Sequence, residues 1–272
     1  MSGTLQTTGA AVSDAELLDE TALAVRAAGS VLRERFGEVV RYGTREELMS
    51  ALAANDDAAL AVLRPRLTRL RPDAGWVEEE LDGGALPPGE WWVVDPAEGN
   101  VNHLHALPEW AVTATLVREN QPVLTAVHLP LTGETYTALT GAGAHLDGRP
   151  LRVSATADLG LGIVATSQAR PEEDEQVVRR VGSSITAMLF DALVVRTAVP
   201  ATLHLVDVAA GRTDVFWQFA GARADLLPGA LLVTEAGGRI SDAEGRPWTP
   251  RSESFLAAAP GVHAEAVATL SR

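Results

Sequence analysis

The stretch Trp91-Trp92-Val93-Val94-Asp95-Pro96-Ala97-Glu98-Gly99-Asn100 sets two carboxylates three residues apart at the end of an apolar run. Proline cannot donate to a sheet ladder, so the sequence predicts a strand over 91–95 that stops at Pro96, leaving the Asp95 side chain at its C-terminal edge rather than in a core. Such edges are where open α/β proteins bind ligands. Mg²⁺ favours carboxylate, carbonyl and phosphate oxygens, so the pair reads as one half of a divalent-metal site that grips a phosphate. Taken alone the pattern is not specific, because a surface turn carrying two solvated acids has the same sequence.

The elements around this stretch must position it. Ser13-Asp14-Ala15-Glu16 is a capping box, and Leu17, Leu18, Ala22, Val25, Ala28 and Leu32 follow at helical spacing, predicting an amphipathic helix to about Phe36. Thr44-Arg45-Glu46-Glu47 caps a second helix through Leu48, Leu52, Ala59, Leu60, Leu63 and Leu67, with a break expected at Asn55-Asp56. Strand-like runs at 91–95, 110–118, 122–129 and 134–139 then succeed one another across brief turns, which implies an antiparallel meander with helices packed on it. After Leu151 strand and helix alternate: strands at 162–166, 193–197 and 213–219, helices at 172–189, 200–211 and 224–236. The Asp147-Gly148-Arg149-Pro150 turn divides the chain into a loose tail at 1–12, an N-terminal α+β half at 13–152 with the antiparallel sheet, and a C-terminal α/β half at 153–272.

Composition narrows the function. A chain of 272 residues that is 46% hydrophobic has ample core, and its net charge of −14 with 22 scattered Lys and Arg argues against a nucleic-acid partner, which needs a basic face. Candidate metal ligands account for part of the acidic excess and a solubilising surface for most of it. The absence of cysteine removes disulfides, thiolate metal sites and thiol nucleophiles, and fits a reducing cytosol. With no signal-like N-terminus and no apolar run near the ~20 residues of a membrane helix, a cytoplasmic protein without membrane attachment is expected.

Two further motifs join the first. Trp76-Val77-Glu78-Glu79-Glu80 lies upstream, and Ala224-Asp225-Leu226-Leu227-Pro228-Gly229 running into Val233-Thr234-Glu235-Ala236-Gly237-Gly238 lies downstream. With Asp56, the D-P-x-x-G turn and Asn102, His105 and Pro108 in an N-x-x-H-x-x-P arrangement, the order and spacing resemble the inositol monophosphatase family of Mg²⁺-dependent, lithium-sensitive-type phosphatases, from about residue 14 to 270. The resemblance implies a layered αβαβα sandwich, a homodimer, and two or three Mg²⁺ ions for which Mn²⁺ could substitute. It assigns Glu78, Asp95 and the Ala97 carbonyl to a first ion, Asp95, Glu98 and Asp225 to a second, and Glu78 and Glu79 with Asp56 to a third. Backbone N–H groups at Gly99 and Asn100 would bind the phosphate. A water activated by Glu78, with Asp56 and Asn100 beside it, would attack in line.

The chain also departs from the family. The usual D-P-x-D-G-T is D-P-x-E-G-N here, so a ligating Asp has become Glu98 and an orienting hydroxyl has become the Asn100 amide. Ala224 stands where a Trp commonly precedes the late Asp, a gap for Trp217 or Trp110 to fill. Gln218 replaces a Glu that faces a sugar hydroxyl, and Arg196-Thr197-Ala198 replaces a G-T-A turn lining the substrate pocket. Arg196 either contacts a second phosphate or carboxylate or points to solvent.

The remaining candidates have plainer readings. Of the six histidines only His103 and His105 have metal-ligand spacing, and they are read as lying in a loop, with His105 a structural hydrogen-bonding residue. Ser167, Ser183 and Ser184 lack a G-x-S-x-G setting, and Gly141-x-Gly143 is a turn. The reading is a divalent-metal-dependent phosphomonoesterase for an inositol- or sugar-phosphate-like ester. Its alternatives are a nucleoside bisphosphate or histidinol-phosphate phosphatase of the same superfamily, or a non-catalytic relative that binds metal and phosphometabolite.

Overall fold

The computed structural model describes residues 12–37, 39, 41–77, 85–169, 173–219 and 223–272. The expected tail therefore lies almost wholly outside the described residues, as do Glu78, Glu79 and Glu80. Ser13 caps α1 (Asp14–Arg35): its hydroxyl accepts from the Glu16 amide while the Glu16 carboxylate accepts from the Ser13 amide at 2.9 Å. The buried stripe of α1, Leu17, Thr21, Val25, Ala28 and Leu32, recurs every three to four residues. Thr44 caps α2 (Arg45–Leu70), which contrary to expectation runs unbroken through Asn55-Asp56. Such residues interrupt helices by bonding to nearby backbone, whereas the Asn55 side chain is taken up by Arg35, Asn100 and His103.

A seven-stranded sheet follows in chain order: β1 (Gly75–Trp76), β2 (Glu90–Glu98), then, after α3 (Asn100–Leu104), β3 (Ala111–Arg118), β4 (Gln121–Leu129), β5 (Glu134–Leu139), β6 (Gly143–Leu146) and β7 (Arg149–Pro150). Only β1 and β2 pair in parallel, and the rest is the expected antiparallel meander. The second half supplies β8 (Ile163–Thr166), α4 (Glu175–Asp191), β9 (Val194–Thr197), α5 (Ala201–Ala209), β10 (Val215–Phe219), α6 (Arg223–Glu235), β11 (Arg239–Ser241), β12 (Ser254–Ala258) and α7 (His263–Leu270). Its five strands run in the order β11-β12-β10-β8-β9, with β8, β9 and β10 parallel and β12 antiparallel between β10 and β11.

Burial sorts these elements into layers. Leu17 and Leu32 of α1 and Leu63 of α2 pack with Trp92, Val112 and Leu116 on one face of the first sheet. Its other face, with Val127 and Tyr136, meets α5 and α6 through Leu205, Leu231 and Leu232, and these helices meet Phe216 and Phe255 of the second sheet. Val164, Trp217 and Leu256 on that sheet's far face pack under Met188 of α4 and Ala266 of α7. The result is a layered α/β sandwich in the sense αβαβα. A helix held between two sheets needs apolar residues all round, and Leu226, Leu227, Ala230, Leu231, Leu232 and Val233 of α6 are each no more than 5% exposed. Gly229 lets α6 approach α5: a Cβ there would lie 2.2 Å from the Leu205 Cβ. Among the described residues no helix is long and apolar enough to cross a membrane.

Candidate metal and phosphate site

Pro96 does not end β2. Asp95 pairs with Thr113 and Glu98 with Ala111, so β2 spends one more residue than β3 over this step and forms a bulge containing Pro96 and Ala97. A bulge is where a residue without an N–H costs the ladder least, which is why the strand continues through proline. The bulge bends the chain so that the Asp95 carboxylate folds back over it, with Oδ1 accepting from the Ala97 amide at 2.9 Å. Asp95 and Glu98 are consequently buried, 8% and 2% exposed, rather than left on an open edge.

Gly99 then turns the chain. Its φ of +80° suits glycine, and a Cβ would stand 2.6 Å from the Glu109 carbonyl oxygen and 3.0 Å from Pro200. The turn sends Asn100 toward α2, where its Nδ2 donates to the Leu52 carbonyl at 3.0 Å and to Asp56 Oδ1 at 2.8 Å. Asn102, two residues on, donates to the carbonyls of Glu109 and Val199, both at 2.8 Å, and so ties α3 to the turn before α5. His105 bonds through Nδ1 to the Val101 carbonyl, the structural role read for it.

Asp225 arrives from the other half of the chain. It sits in the first turn of α6, where Pro228 cannot donate to the carbonyl four residues before it, and Thr202 of α5 donates to the Asp225 carbonyl at 2.8 Å. Carboxylate oxygens of Asp95, Glu98 and Asp225 all lie within 4.8 Å of one another. Burial pushes the Asp95 carboxyl upward; a hydrogen bond with Glu98 works against this, and repulsion from Asp225 and Asp56 adds to it. Since two carboxylates share a hydrogen bond only with a proton between them, the cluster holds more negative charge than it can leave ionised. Burial also pushes the Asp56 carboxyl up to about 6, against the hydrogen bond from Asn100. Three buried or half-buried carboxylates so arranged are hard oxygen donors, which fit Mg²⁺ or Mn²⁺ and not a soft metal.

A cavity of about 400 Å³ joins these groups. Asp56, Asp95, Glu98, Asn100 and Asp225 line it, together with Ala97, Gly99 and Gln218. Gln218 Oε1 accepts from the Ser167 hydroxyl at 2.7 Å, and Ser167 itself lines the cavity, a placement that its lack of a hydrolase motif does not announce. Arg196, Thr197 and Ala198 do not line this cavity. Arg196 and Thr197 are exposed at the end of β9, the edge strand of the second sheet, Ala198 is exposed just beyond it, and the positions that line the cavity are Val199, Pro200 and Ala201, three residues later. Arg196 is thereby excluded from the site's lining. Trp217 and Trp110 are also committed elsewhere, the first donating to Ser184 under α4 and the second packed against His103 and Phe36, while Trp248 packs against Leu227. Two residues of the site's surroundings escaped the sequence reading, Asn55 and His103. Their signal was available: Asn55 is the polar member of a four-residue stripe with Ala59, Leu63 and Leu67.

Residues 14–272 match the model of the inositol monophosphatase family. The inositol-1-monophosphatase of Rhizobium meliloti is 34% identical over 238 residues, covering 84% of this chain and 86% of that protein. The Nus factor SuhB of Xylella fastidiosa is 33% identical over 226 residues, covering 82% and 80%. Among solved structures, that of the extragenic suppressor protein SuhB from Bartonella henselae superposes with a TM-score of 0.82 at 26% identity, covering 94% of this chain and 98% of that one.

Proposed function

Because the chain belongs to the inositol monophosphatase family, we propose that it is a divalent-metal-dependent phosphomonoesterase that hydrolyses a small inositol- or sugar-phosphate-like ester in the cytoplasm. The observation that carries this reading is the convergence of the Asp95, Glu98 and Asp225 carboxylates, from both halves of the chain, on one cavity. In this reading Asp95, Glu98, Asp225 and the Ala97 carbonyl hold Mg²⁺, with Glu78 completing the set. When bound, such ions neutralise the phosphate and make water a stronger nucleophile.

The chain's own groups do the rest. Gly99 and Asn100 line the cavity at the start of α3, and in this reading their backbone N–H groups bind the phosphate. Asp56, fixed by the Asn100 amide, faces the same cavity and stands with Asn100 beside the attacking water. Gln218, held by Ser167, offers the alcohol part of the ester a neutral amide. Phosphate release from a panel of inositol, sugar, polyol and nucleotide esters with Mg²⁺ tests the reading; activity confined to one ester class names the substrate.

A second reading has specific support. Glu98 and Asn100 alter the metal loop itself, and a relative named as a Nus factor is 33% identical, so a chain that binds metal and phosphometabolite without turnover is the alternative. Uniform inactivity across the panel alongside measurable Mg²⁺ binding would favour it. A C₂ homodimer belongs to either reading, supported by the exposed apolar residues Leu189, Phe190, Leu193 and Val194 at the end of α4 and the start of β9.

A further inference from the structure

A chain of polar side chains runs from the end of α1 to the cavity. Arg35 donates from Nε to Asn55 Oδ1 at 2.8 Å. Asn55, 2% exposed, reaches with Nδ2 to Asn100 Oδ1 at 2.9 Å and to His103 Nδ1 at 3.0 Å. Asn100 donates in turn from Nδ2 to Asp56 Oδ1 at 2.8 Å and to the Leu52 carbonyl at 3.0 Å. The other nitrogen of His103 meets the Leu32 carbonyl at 2.8 Å.

The first member fixes the sense of every bond that follows. A guanidinium only donates, so Asn55 must turn its oxygen to Arg35 and its NH₂ to Asn100 and His103. Asn100 must then turn its oxygen to Asn55, which leaves its NH₂ for Leu52 and Asp56. His103 accepts at Nδ1 and therefore carries its proton at Nε2, where the Leu32 carbonyl receives it. Turning over either amide would set acceptor against acceptor at one end and donor against donor at the other. Asn55 thus has its oxygen and both amide hydrogens matched in a buried place, where unmatched groups are costly and matched networks are rigid. Packing alone would not call for an amide here, since Ala59, Leu63 and Leu67 continue the same buried stripe of α2.

We propose that Asn55 is a positioning residue of the hydrolytic site, passing a hydrogen-bond polarity set by Arg35 through Asn100 to the carboxylate of Asp56. The proposal rests on the phosphatase reading, in which Asp56 and Asn100 stand beside the attacking water. Asn55 does not line the cavity and acts only by fixing which atoms Asn100 presents.

Asn55→Asp tests it, because the change keeps the shape and the Arg35 contact while removing both donors. Facing an oxygen where a donor stood, the Asn100 amide is expected to turn over or withdraw, so that a crystal structure of the metal-free variant has lost the Asn100–Asp56 hydrogen bond and the Asn100 side-chain amide resonances have moved. In the active enzyme kcat should fall roughly ten- to a hundred-fold with KM within about twofold. The same substitution on an Asn100→Ala background should cost little further, because the relay is already cut. If Asn55→Asp proves unstable, Asn55→Ala supplies the same comparisons. An Asn100–Asp56 contact and amide resonances unchanged in the variant, or an equal loss of kcat on the Asn100→Ala background, would overturn the proposal. A wild-type protein inert on every ester would overturn the phosphatase reading instead, and the Asn100 position in the variant would still decide the relay.

Discussion

Asp95 beside the bulge of β2 and Asp225 in the first turn of α6 hold carboxylate oxygens within 4.8 Å of each other, although one comes from each half of the chain. Their repulsion is a cost of folding without metal. Asp95→Asn is expected to abolish Mg²⁺-dependent phosphate release and at the same time to raise the melting temperature of the metal-free protein, since the amide still accepts from the Ala97 N–H and now donates to Glu98. Thermal scans with and without EDTA check this, and a sharply lowered metal-free melting temperature would mark Asp95 as structural.

A pH dependence follows from Asp56. Its carboxyl is raised to about 6 by burial, so the folded state holds a proton that the unfolded chain has already released; the stability linked to this group is present at low pH and is lost as pH rises from about 4 through 6. Burial lowers His103, His128, His204 and His263, which act in the opposite sense, so the effect is read as a difference between proteins. The melting temperature of metal-free Asp56→Asn minus that of wild type should grow between pH 4 and pH 7. A flat difference would mean that Asp56 is not desolvated.

Gly99→Ala should be severe. The left-handed turn and the approach of a Cβ to the Glu109 carbonyl at 2.6 Å together predict a loss of roughly 1–3 kcal/mol and displacement of Asn100. Chemical denaturation gives the first quantity, and phosphate release should fall in parallel.

Glu98 and Asn100 lie on either side of that glycine and point to different partners, Glu98 to Asp95 and Asn100 to α2. Glu98→Asp and Asn100→Thr should each impair turnover of the true substrate, while the double variant recovers activity on generic sugar phosphates. The rates of the four proteins form a double-mutant cycle, and strict additivity would sink the coupling.

Phe190, 84% exposed at the end of α4, is the most exposed residue of its apolar patch. Phe190→Asp should convert a dimer to a monomer in size-exclusion chromatography with light scattering at micromolar concentration. A wild-type monomer under the same conditions would refute the dimer.

The readable parts of the sequence were those governed by local rules. The Ser13 and Thr44 caps, the meander and the strand–helix alternation after it depend on neighbours a few residues away, and they stand where spacing puts them. Pro96 misled because a bulge absorbs a missing N–H, an option visible only once β3 is in register. Before α5 it is Val199, Pro200 and Ala201, rather than Arg196, Thr197 and Ala198, that line the cavity, a placement that no local signal in the sequence fixes. Asp95, Glu98 and Asp225 were assigned together by family pattern, whereas Asn55 needed the opposite inference, from an amide in an apolar stripe to the long-range partners that must satisfy it.

The contact of Gly229 with Leu205 bears on how a molecule of this kind can diversify. With α5 and α6 pressed together to the limit of a missing side chain, the middle layer acts as a spacer of fixed thickness between the two sheets. Bulk added there would push apart the strand that carries Asp95 and the strand that carries Gln218, widening the cavity at both its Asp95 end and its Gln218 end. New specificities should therefore accumulate at the rim, around Val199 and Met49, where a larger side chain displaces only solvent and leaves the gauge of the sandwich unchanged.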